Sequence, residues 1–236
     1  MGRPRQAAGT AFSLDPATGI ETVLHTFSAK REDGRGPQAG LIGVNGTLYG
    51  TTEYGGAYNA GAVFSLDPTT GAEAVLYSFK GYPSDGAGPV AGLLHVNGSL
   101  YGTTFGGGAQ DLGTVFAIDL ATSAETALYS FQGYPSDGAE PGAGLIDVNG
   151  SLYGTTEDGG AQGCKNEQGE YIGCGTAFSI NLQLGSETEL YSFCGEQFCA
   201  DGQEPLAALI SLNGVLYGTT ELGGEYGYGA VFSIVP

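Results

Sequence analysis

LYGTTEYGGAYNAGAVFSLDPTTGAEAVLYSF, residues 48–79, decides the fold, because the chain is close to four copies of this stretch laid end to end. Its first five residues, LYGTT, begin at Leu48, Leu100, Leu152 and Leu216. A second segment, G-[TA]-[AV]-F-[SA]-[LI], begins at Gly9, Gly61, Gly113, Gly175 and Gly229. The LYGTT segments are 52, 52 and 64 residues apart. A period near 50 residues with four short apolar segments predicts β-propeller blades or a related repeat array.

Each repeat contains four predicted strands, which we name a (GLI-x-VNG), b (SLYGTT), c (GTVFSLD) and d (ETVLYSF). Asn-Gly pairs separate strands a and b, and this dipeptide is a strong signal for a tight hairpin. Asp-Pro-x-x-Gly predicts an equally tight turn between c and d. In a meander, the b–c and d–a loops then emerge together at the opposite end. We name that end the loop face and expect function there, because binding residues concentrate on loops that a rigid scaffold holds.

Strand c carries apolar residues on both faces. In residues 114–118, Val115 and Ala117 point one way, while Phe116 and Ile118 point the other. Burial on both faces fits a sheet that lies between neighbouring sheets, as in a propeller.

The strand count leaves the closure of the array open. The chain supplies c and d, then three full sets, then a, b and c, which is one strand more than four closed blades need. The ring either closes with a spare strand or forms a segment of a longer array, and strand exchange with a second molecule is a further alternative. We interpret residues 1–236 as a single domain. Its units are roughly 9–60, 61–112, 113–174 and 175–228, with a terminal strand at 229–236.

Composition excludes some partners. The formal net charge is −18, and such a surface repels the phosphates of nucleic acids. No stretch approaches the roughly 18 uninterrupted apolar residues of a membrane span. The chain therefore reads as an acidic β-rich protein without nucleic acid as a partner.

All four cysteines lie in two insertions of one repeat. Cys164 and Cys174 bracket the longer insertion, and Cys194 and Cys199 bracket the shorter one. Cysteines that close loops predict disulfides and an oxidising compartment. Of three possible pairings we favour 164 with 174 and 194 with 199. A zinc site is the alternative, although the spacings are not the C-x2-C pairs of structural zinc.

Acidic and aromatic residues on the loop face are the candidate binding residues. Their mixture of hydrogen-bonding acids and ring faces suits sugars or protein partners. The acids are Asp85, Asp137 and Asp201, each followed by glycine, and Glu53, Glu157 and Glu221, each directly after LYGTT. The tyrosines are Tyr54, Tyr58, Tyr82 and Tyr134, with Tyr226 and Tyr228 near the end of the chain. We expect a glycan or protein ligand.

Two other interpretations of these residues stay open. An Asp before Gly often bonds its own turn. The tyrosines that flank glycine can simply cover the bases of the loops. Repeated carboxylates could instead bind calcium, although no D-x-[DN]-x-[DN]-G loop is present. We expect no other cofactor.

An enzyme is the alternative from another class. Two carboxylates about 5–10 Å apart can hydrolyse a glycoside, and the loops around Cys164–Cys199, with Glu157, Glu167 and Asp201, are the candidate place. The repetition argues against this, because a catalytic pair needs two different environments. His25 stands where the other d strands have tyrosine, and we interpret it as a packing substitute. We predict no catalytic residue.

The motif series LYGTT-x-x-GG…G-[TA]-[AV]-F-S-[LI]…LYSF…DG…P…GLI-x-VNG resembles the GloVer tandem repeat, from Gly9 to Val235. Proteins with this repeat are bacterial and are described by their C-terminal surface anchors. The resemblance implies an exported, surface-attached repeat protein and carries no catalytic residues. Residues 1–9, MGRPRQAAG, lack the apolar region of a signal peptide. Either the export signal lies upstream of this sequence or the protein is not exported, and the cysteines favour the first alternative.

Overall fold

The computed structural model describes residues 8–28, 30 and 32–236, and this part of the chain is all-β. Apart from one 3-10 turn at Gln197–Cys199, its regular structure consists of strands. Five main sheets follow one another along the sequence, and we number them 1 to 5.

Sheet 1 contains β1 (Thr10–Leu14) and β2 (Glu21–Thr26). Sheet 2 contains β4 (Ile42–Val44), β5 (Thr47–Thr52), β7 (Ala62–Leu66) and β8 (Glu73–Ser78). Sheet 3 contains β10 (Leu94–Val96), β11 (Ser99–Thr104), β13 (Thr114–Asp119) and β14 (Glu125–Ser130). Sheet 4 contains β16 (Ile146–Val148), β17 (Ser151–Thr156), β19 (Thr176–Asn181) and β20 (Ser186–Ser192). Sheet 5 contains β21 (Ile210–Leu212), β22 (Val215–Thr219) and β23 (Val231–Ile234).

Every full sheet is an antiparallel meander in the order a-b-c-d, as the sequence predicts. The a–b turns have left-handed backbone at both central residues, for example φ 50° at Asn45 and 84° at Gly46. This is the two-residue hairpin that Asn-Gly favours. In the c–d turns the carboxylate folds back on its own backbone, so that Asp67 Oδ1 accepts hydrogen bonds from Thr69 N (2.7 Å) and Thr70 N (3.1 Å).

Consecutive sheets stack through repeated apolar faces. Val63 and Phe79 of sheet 2 belong to one core with Leu100, Phe116 and Ile118 of sheet 3. We name this side, toward the next sheet, the forward face. The opposite, backward face of sheet 2 carries Phe64 and Leu66, which share a core with Ala8, Ala11 and Phe27. The prediction that strand c is buried on both faces is confirmed.

The glycine of LYGTT makes this stacking possible. A Cβ atom on Gly102 would lie 2.6 Å from Cζ of Phe116. Glycine is therefore required because the ring of strand c lies across strand b, and the other LYGTT glycines face the same ring position.

The two ends of the array are open in this structure. Phe12 on the backward face of sheet 1 is 55% exposed, whereas its repeat equivalent Phe116 is 0% exposed. Val231 on the forward face of sheet 5 is 80% exposed, against 0% for Val63. Strand β23 pairs with β22, and β1 pairs with β2, so the sheets do not close into a ring within the described chain. The closed ring with a spare strand is not observed.

Candidate functional site

Pairs of two-residue strands, which we name the clasps, hold neighbouring loops of the loop face together. The sequence did not predict them. They join the first three d–a loops to the b–c loop of the following sheet. The pairs are β3 (Gly34–Arg35) with β6 (Tyr54–Gly55), β9 (Gly86–Ala87) with β12 (Gly106–Gly107), and β15 (Gly138–Ala139) with β18 (Asp158–Gly159). At the fourth d–a loop a single bridge between Gln203 and Leu222 takes their place. The glycine of the Asp-Gly motif lies against the last threonine of LYGTT: a Cβ on Gly86 would be 2.5 Å from Cγ2 of Thr104. The two motifs therefore occur together because they pack together.

The aspartates of the Asp-Gly motif are internal acceptors. Buried Asp85 accepts hydrogen bonds from the hydroxyl of Tyr77 (2.8 Å) and from the backbone N–H groups of Lys80 (2.9 Å) and Gly86 (2.7 Å). Asp137 is buried with an equivalent set of bonds in the next repeat. Burial and the hydrogen bond to Asp85 raise the pKa of Tyr77. These contacts favour the turn interpretation of Asp85 and Asp137 over a ligand-binding one.

Asp201 is less buried but bonded in the same way. It accepts hydrogen bonds from the hydroxyl of Tyr191 (2.7 Å) and from the backbone N–H groups of Gly195 (2.9 Å) and Glu196 (3.1 Å). Burial alone would raise the pKa of Asp201, but these bonds outweigh it and hold the pKa below its ordinary value. Asp201 is therefore an ionised acceptor that holds the shorter cysteine loop.

A groove of about 230 Å³ opens on the loop face between sheets 2 and 3. It brings together two predicted site residues, Glu53 and Tyr54, with Phe105, which replaces the glutamate in the next repeat. The rest of its lining is Asn59, Ala60, Ala87, Gly88, Val90 and Gly106. Its surface is thus mainly apolar, and its polar side chains are the Glu53 carboxylate and the Tyr54 phenol at the rim together with the Asn59 amide, a mixture typical of ligand sites.

Neighbouring side chains hold the polar rim of this groove. Gln38 Nε2 donates a hydrogen bond to Glu53 Oε2. The guanidinium of Arg35 lies 5.3 Å from the ring centroid of Tyr54, within cation–π range. The hydrogen bond to Glu53 raises the pKa of the exposed Tyr54 phenol. A phenol is protonated at neutral pH, so this hydroxyl is a hydrogen-bond donor beside the Glu53 carboxylate.

A second feature of the loop face is a cluster of five carboxylates between sheets 4 and 5, which we name the acidic cluster. Its members are Glu140, Glu157, Asp158, Glu204 and Glu221. Backbone bonds from Glu157 N to Glu140 O (3.2 Å) and from Glu221 N to Glu204 O (2.9 Å) set the members side by side. Burial and the charges of Glu140, Glu157 and Glu204 raise the pKa of Asp158 to about 7. The cluster therefore holds a carboxyl that exchanges its proton near neutral pH.

Tyr171 and Lys165 of the longer cysteine loop form an aromatic platform with Tyr134 of the preceding d–a loop. The two tyrosine rings stack with centroids 5.8 Å apart and planes inclined by 16°. The ammonium of Lys165 lies 4.3 Å from the centroid of Tyr171. The loop joins the acidic cluster through a hydrogen bond from Gly159 N to Ile172 O (2.7 Å). Both tyrosines are exposed to solvent.

The predicted disulfide pairing is confirmed. Cys164 is bonded to Cys174 and Cys194 to Cys199, with Cα atoms 5.0 and 4.0 Å apart. No cysteine of the described chain is free. The sulfur atoms of Cys164, Cys194 and Cys199 lie within 4.8 Å of one another, so the two bridges are neighbours.

The remaining predicted residues are spread over the surface. Tyr58, Tyr82, Tyr226 and Tyr228 are exposed, and none of them lines the groove. Glu167 is exposed on the longer cysteine loop.

Sequence reasoning missed several members of these features. Glu140 and Glu204 precede the proline of the Asp-Gly-x-x-Pro segment, where the two earlier repeats have Gly36 and Gly88. Comparison of the repeats at that position was the available signal. Tyr171 lies inside an insertion without counterpart in the other repeats, so no comparison could identify it.

Solved structures share this fold. TolB from Acinetobacter baumannii aligns with a TM-score of 0.57 at 12% identity over 95% of this chain and 46% of TolB. A chain of a nidogen/laminin complex aligns with a TM-score of 0.53 at 14% identity, over 96% of this chain and 72% of that one. This chain thus spans about half the length of TolB. At these identities the likeness concerns the fold alone, which is β-propeller-like.

The architecture and the repeated motifs define a propeller-like tandem-repeat protein. The chain belongs to the Gloeobacter/Verrucomicrobia repeat family, whose sequence profile matches residues 2–167. No curated protein has significant sequence similarity to it. Within the described residues, no helix is long and apolar enough to cross a membrane.

Proposed function

We propose that the chain is a binding or scaffolding module that a bacterium exports to its cell surface. The bacterial repeat family supports this proposal, and so do two disulfides, which form and persist in oxidising compartments. The stacked sheets are a rigid support, and the variable loops lie together at one end of it. The module uses the loop face to contact its ligand.

The groove at Glu53, Tyr54 and Phe105 is the observation that carries this proposal. A volume of about 230 Å³ is below the 300–1,000 Å³ of a typical drug-sized site, so the groove suits one sugar ring or one side chain of a partner. An apolar floor with a carboxylate and a phenol at the rim matches the two faces of a sugar, which carries C–H groups and hydroxyls. We therefore favour a glycan as the ligand.

A glycan array tests this proposal. The oxidised, labelled chain is applied to the array, and the affinity of each hit is measured by titration calorimetry. Tyr54→Ala and Phe105→Ala are each expected to weaken binding by about tenfold or more. Each substitution removes a contact between an aromatic ring and the ligand, and a loss of about 1.4 kcal/mol in binding free energy raises Kd tenfold. Tyr58→Ala is the matched control, because this exposed tyrosine of the same loop does not line the groove. Binding that survives both groove substitutions, or no bound glycan at all, contradicts the proposal.

The acidic cluster supports a second candidate, a carbohydrate-active enzyme near the cysteine loops. A carboxyl with a pKa of about 7, as at Asp158, suits a general acid at neutral pH, and neighbouring carboxylates supply a partner. The release of reducing ends from a polysaccharide panel tests this candidate. Asp158→Asn abolishes the release if the candidate is right, while Glu167→Gln on the neighbouring loop leaves it unchanged. A panel without any released product contradicts it.

A further inference from the structure

Each boundary between the first four sheets carries a triplet of polar side chains beside strand d. Its members are a residue of strand d, the aspartate of the d–a loop and the first glutamate of the next strand d. Two triplets contain a tyrosine, and they are Tyr77–Asp85–Glu125 and Tyr129–Asp137–Glu187. In both, the tyrosine hydroxyl donates a hydrogen bond of 2.8 Å to the aspartate. The first boundary instead has His25, Asp33 and Glu73.

The histidine leaves this first triplet without its internal hydrogen bond. His25 Nε2 is 3.8 Å from Asp33 Oδ1, which is too long for a hydrogen bond. One donor atom from each of the three side chains lies within 4.8 Å of the other two. His25 Nε2, Asp33 Oδ1 and Glu73 Oε1 are buried and have no hydrogen-bond partner among the described residues. The equivalent oxygens of Glu125 and Glu187 are unpartnered as well, so the histidine triplet differs from the other two in His25 Nε2 and Asp33 Oδ1. Buried polar atoms normally have a hydrogen-bond partner. Three such atoms that face one another without a partner therefore indicate a bound group between them.

We propose that His25, Asp33 and Glu73 form a binding site for a divalent transition metal of the zinc type. The two carboxylates together carry a formal charge of −2, which a divalent cation neutralises. Without a cation, the two half-buried carboxylates lie close enough to repel each other. A metal ion supplies the missing partner for all three atoms at once.

The donor set selects the metal class. Imidazole nitrogen suits zinc, copper, iron and nickel, whereas calcium needs 6–8 oxygen ligands. Around a tetrahedral zinc ion with bonds of about 2.0–2.1 Å, donor atoms are about 3.3 Å apart. The His25–Asp33 separation of 3.8 Å is close to this value, so small side-chain rotations complete the site. Three protein ligands leave a fourth position for water.

Neighbouring groups hold two of the ligands in place. Ser28 N donates a hydrogen bond of 2.7 Å to Asp33 Oδ2, so the other oxygen, Oδ1, is directed at His25. The imidazole packs edge-on against Phe27, with centroids 4.8 Å apart. Such supporting contacts are typical of metal ligands. The site joins strand β2, the following loop and strand β8, so a bound ion would link sheets 1 and 2.

Metal titration of the oxidised 236-residue chain tests this proposal. The protein is stripped with a chelator, its lack of free thiols is checked, and zinc binding is measured by calorimetry and elemental analysis in excess magnesium. We expect one zinc ion per chain and a rise in melting temperature on addition of zinc. His25→Tyr restores the residue of the other triplets, so it should fold normally and lose at least about 100-fold in zinc affinity, more than the loss of a supporting contact would give.

Two further variants sharpen the result. Glu73→Gln should weaken zinc binding, whereas Glu21→Gln, at the equivalent but exposed position of the first strand d, should leave it unchanged. Tyr77→His recreates the histidine triplet at the second boundary and is expected to add a second bound zinc ion. The proposal is overturned if the unaltered chain binds no zinc, or if His25→Tyr binds zinc as tightly as the unaltered chain.

Discussion

Phe79 and Phe116 pack edge to face across the boundary between sheets 2 and 3, with ring centroids 4.9 Å apart and planes inclined by 67°. The same contact occurs at the other three boundaries, in the pairs Phe27–Phe64 (5.0 Å), Phe131–Phe178 (5.1 Å) and Phe193–Phe232 (4.8 Å). One aromatic pair at every boundary explains why a phenylalanine closes strand d and another occupies the middle of strand c in each repeat. The array is held together by one interface used four times.

The first prediction compares the same repeat position in two environments. Phe116→Ala should lower the free energy of unfolding by about 3–5 kcal/mol, because it leaves a cavity in a fully buried boundary. Phe12→Ala should cost far less, within about 1 kcal/mol, because this ring lies on the open face of sheet 1. Urea denaturation of both variants measures the difference. Equal losses would mean that Phe12 is covered in solution.

The second prediction concerns the glycine of LYGTT. Gly102→Ala places a methyl group 2.6 Å from the ring of Phe116 and should lower stability by about 1–3 kcal/mol through overpacking. Gly40→Ala is the matched control, since no atom lies within 4 Å of the added Cβ. Thermal denaturation compares the two variants. A Gly102→Ala protein as stable as the parent would show that the sheets approach less closely than described.

The third prediction is a dependence of stability on pH. Burial is the main cause that raises the pKa values of Glu125 and Glu187 to about 7, with the charges of Asp85 and Asp137 adding to it. The unfolded values are near 4.3, so between about pH 4.3 and 7 the folded state holds protons that the unfolded state has released. Stability therefore falls as the pH rises through this window, and the melting temperature should be higher at pH 5 than at pH 8.

Substitutions test whether these two glutamates, rather than the other acids, cause the dependence of stability on pH. Glu125→Gln and Glu187→Gln should raise the melting temperature at pH 8 and change it little at pH 5. The melting temperature should therefore depend less on pH in these variants than in the parent. Glu21→Gln is the control, because this glutamate starts the first strand d in an exposed position. An unchanged slope in the double variant would assign the pH dependence to other groups.

The fourth prediction concerns the cysteine loops. Replacing Cys164 and Cys174 by serine should lower the free energy of unfolding by about 2–4 kcal/mol in oxidising buffer, as is typical of a lost disulfide. The loop between Cys194 and Cys199 is shorter, with a sequence separation of 5 against 10, so its removal should cost less. Denaturation curves and thiol counts check both. A parent protein with titratable thiols would contradict the pairing.

The sequence predicted what depends on local pattern. Asn45-Gly46 fixes its hairpin through backbone preference alone, and the alternation around Phe116 gives both buried faces of strand c. The cysteine pairing followed because each pair brackets its own insertion. These features need only neighbouring residues, so one sequence with internal repeats was sufficient.

Features that depend on the packing of separate repeats were beyond reach of the sequence. The clasps are two residues long, which is too short to show a strand period. The repeat comparison identified His25 as a tyrosine replacement, but its partner Glu73 is 48 positions away on the next sheet, and only the stacking brings the two together. The acidic cluster likewise forms where loops of different repeats meet.

The most direct test of the account is a crystal structure of the 236-residue chain, examined at its two ends and at its four aromatic boundaries. We expect all four phenylalanine pairs at about 5 Å, with β23 bonded to β22 and with no hydrogen bond between β23 and β1 of the same chain. A closed ring, in which β23 pairs with sheet 1 and Phe12 and Val231 are buried, would contradict the open array.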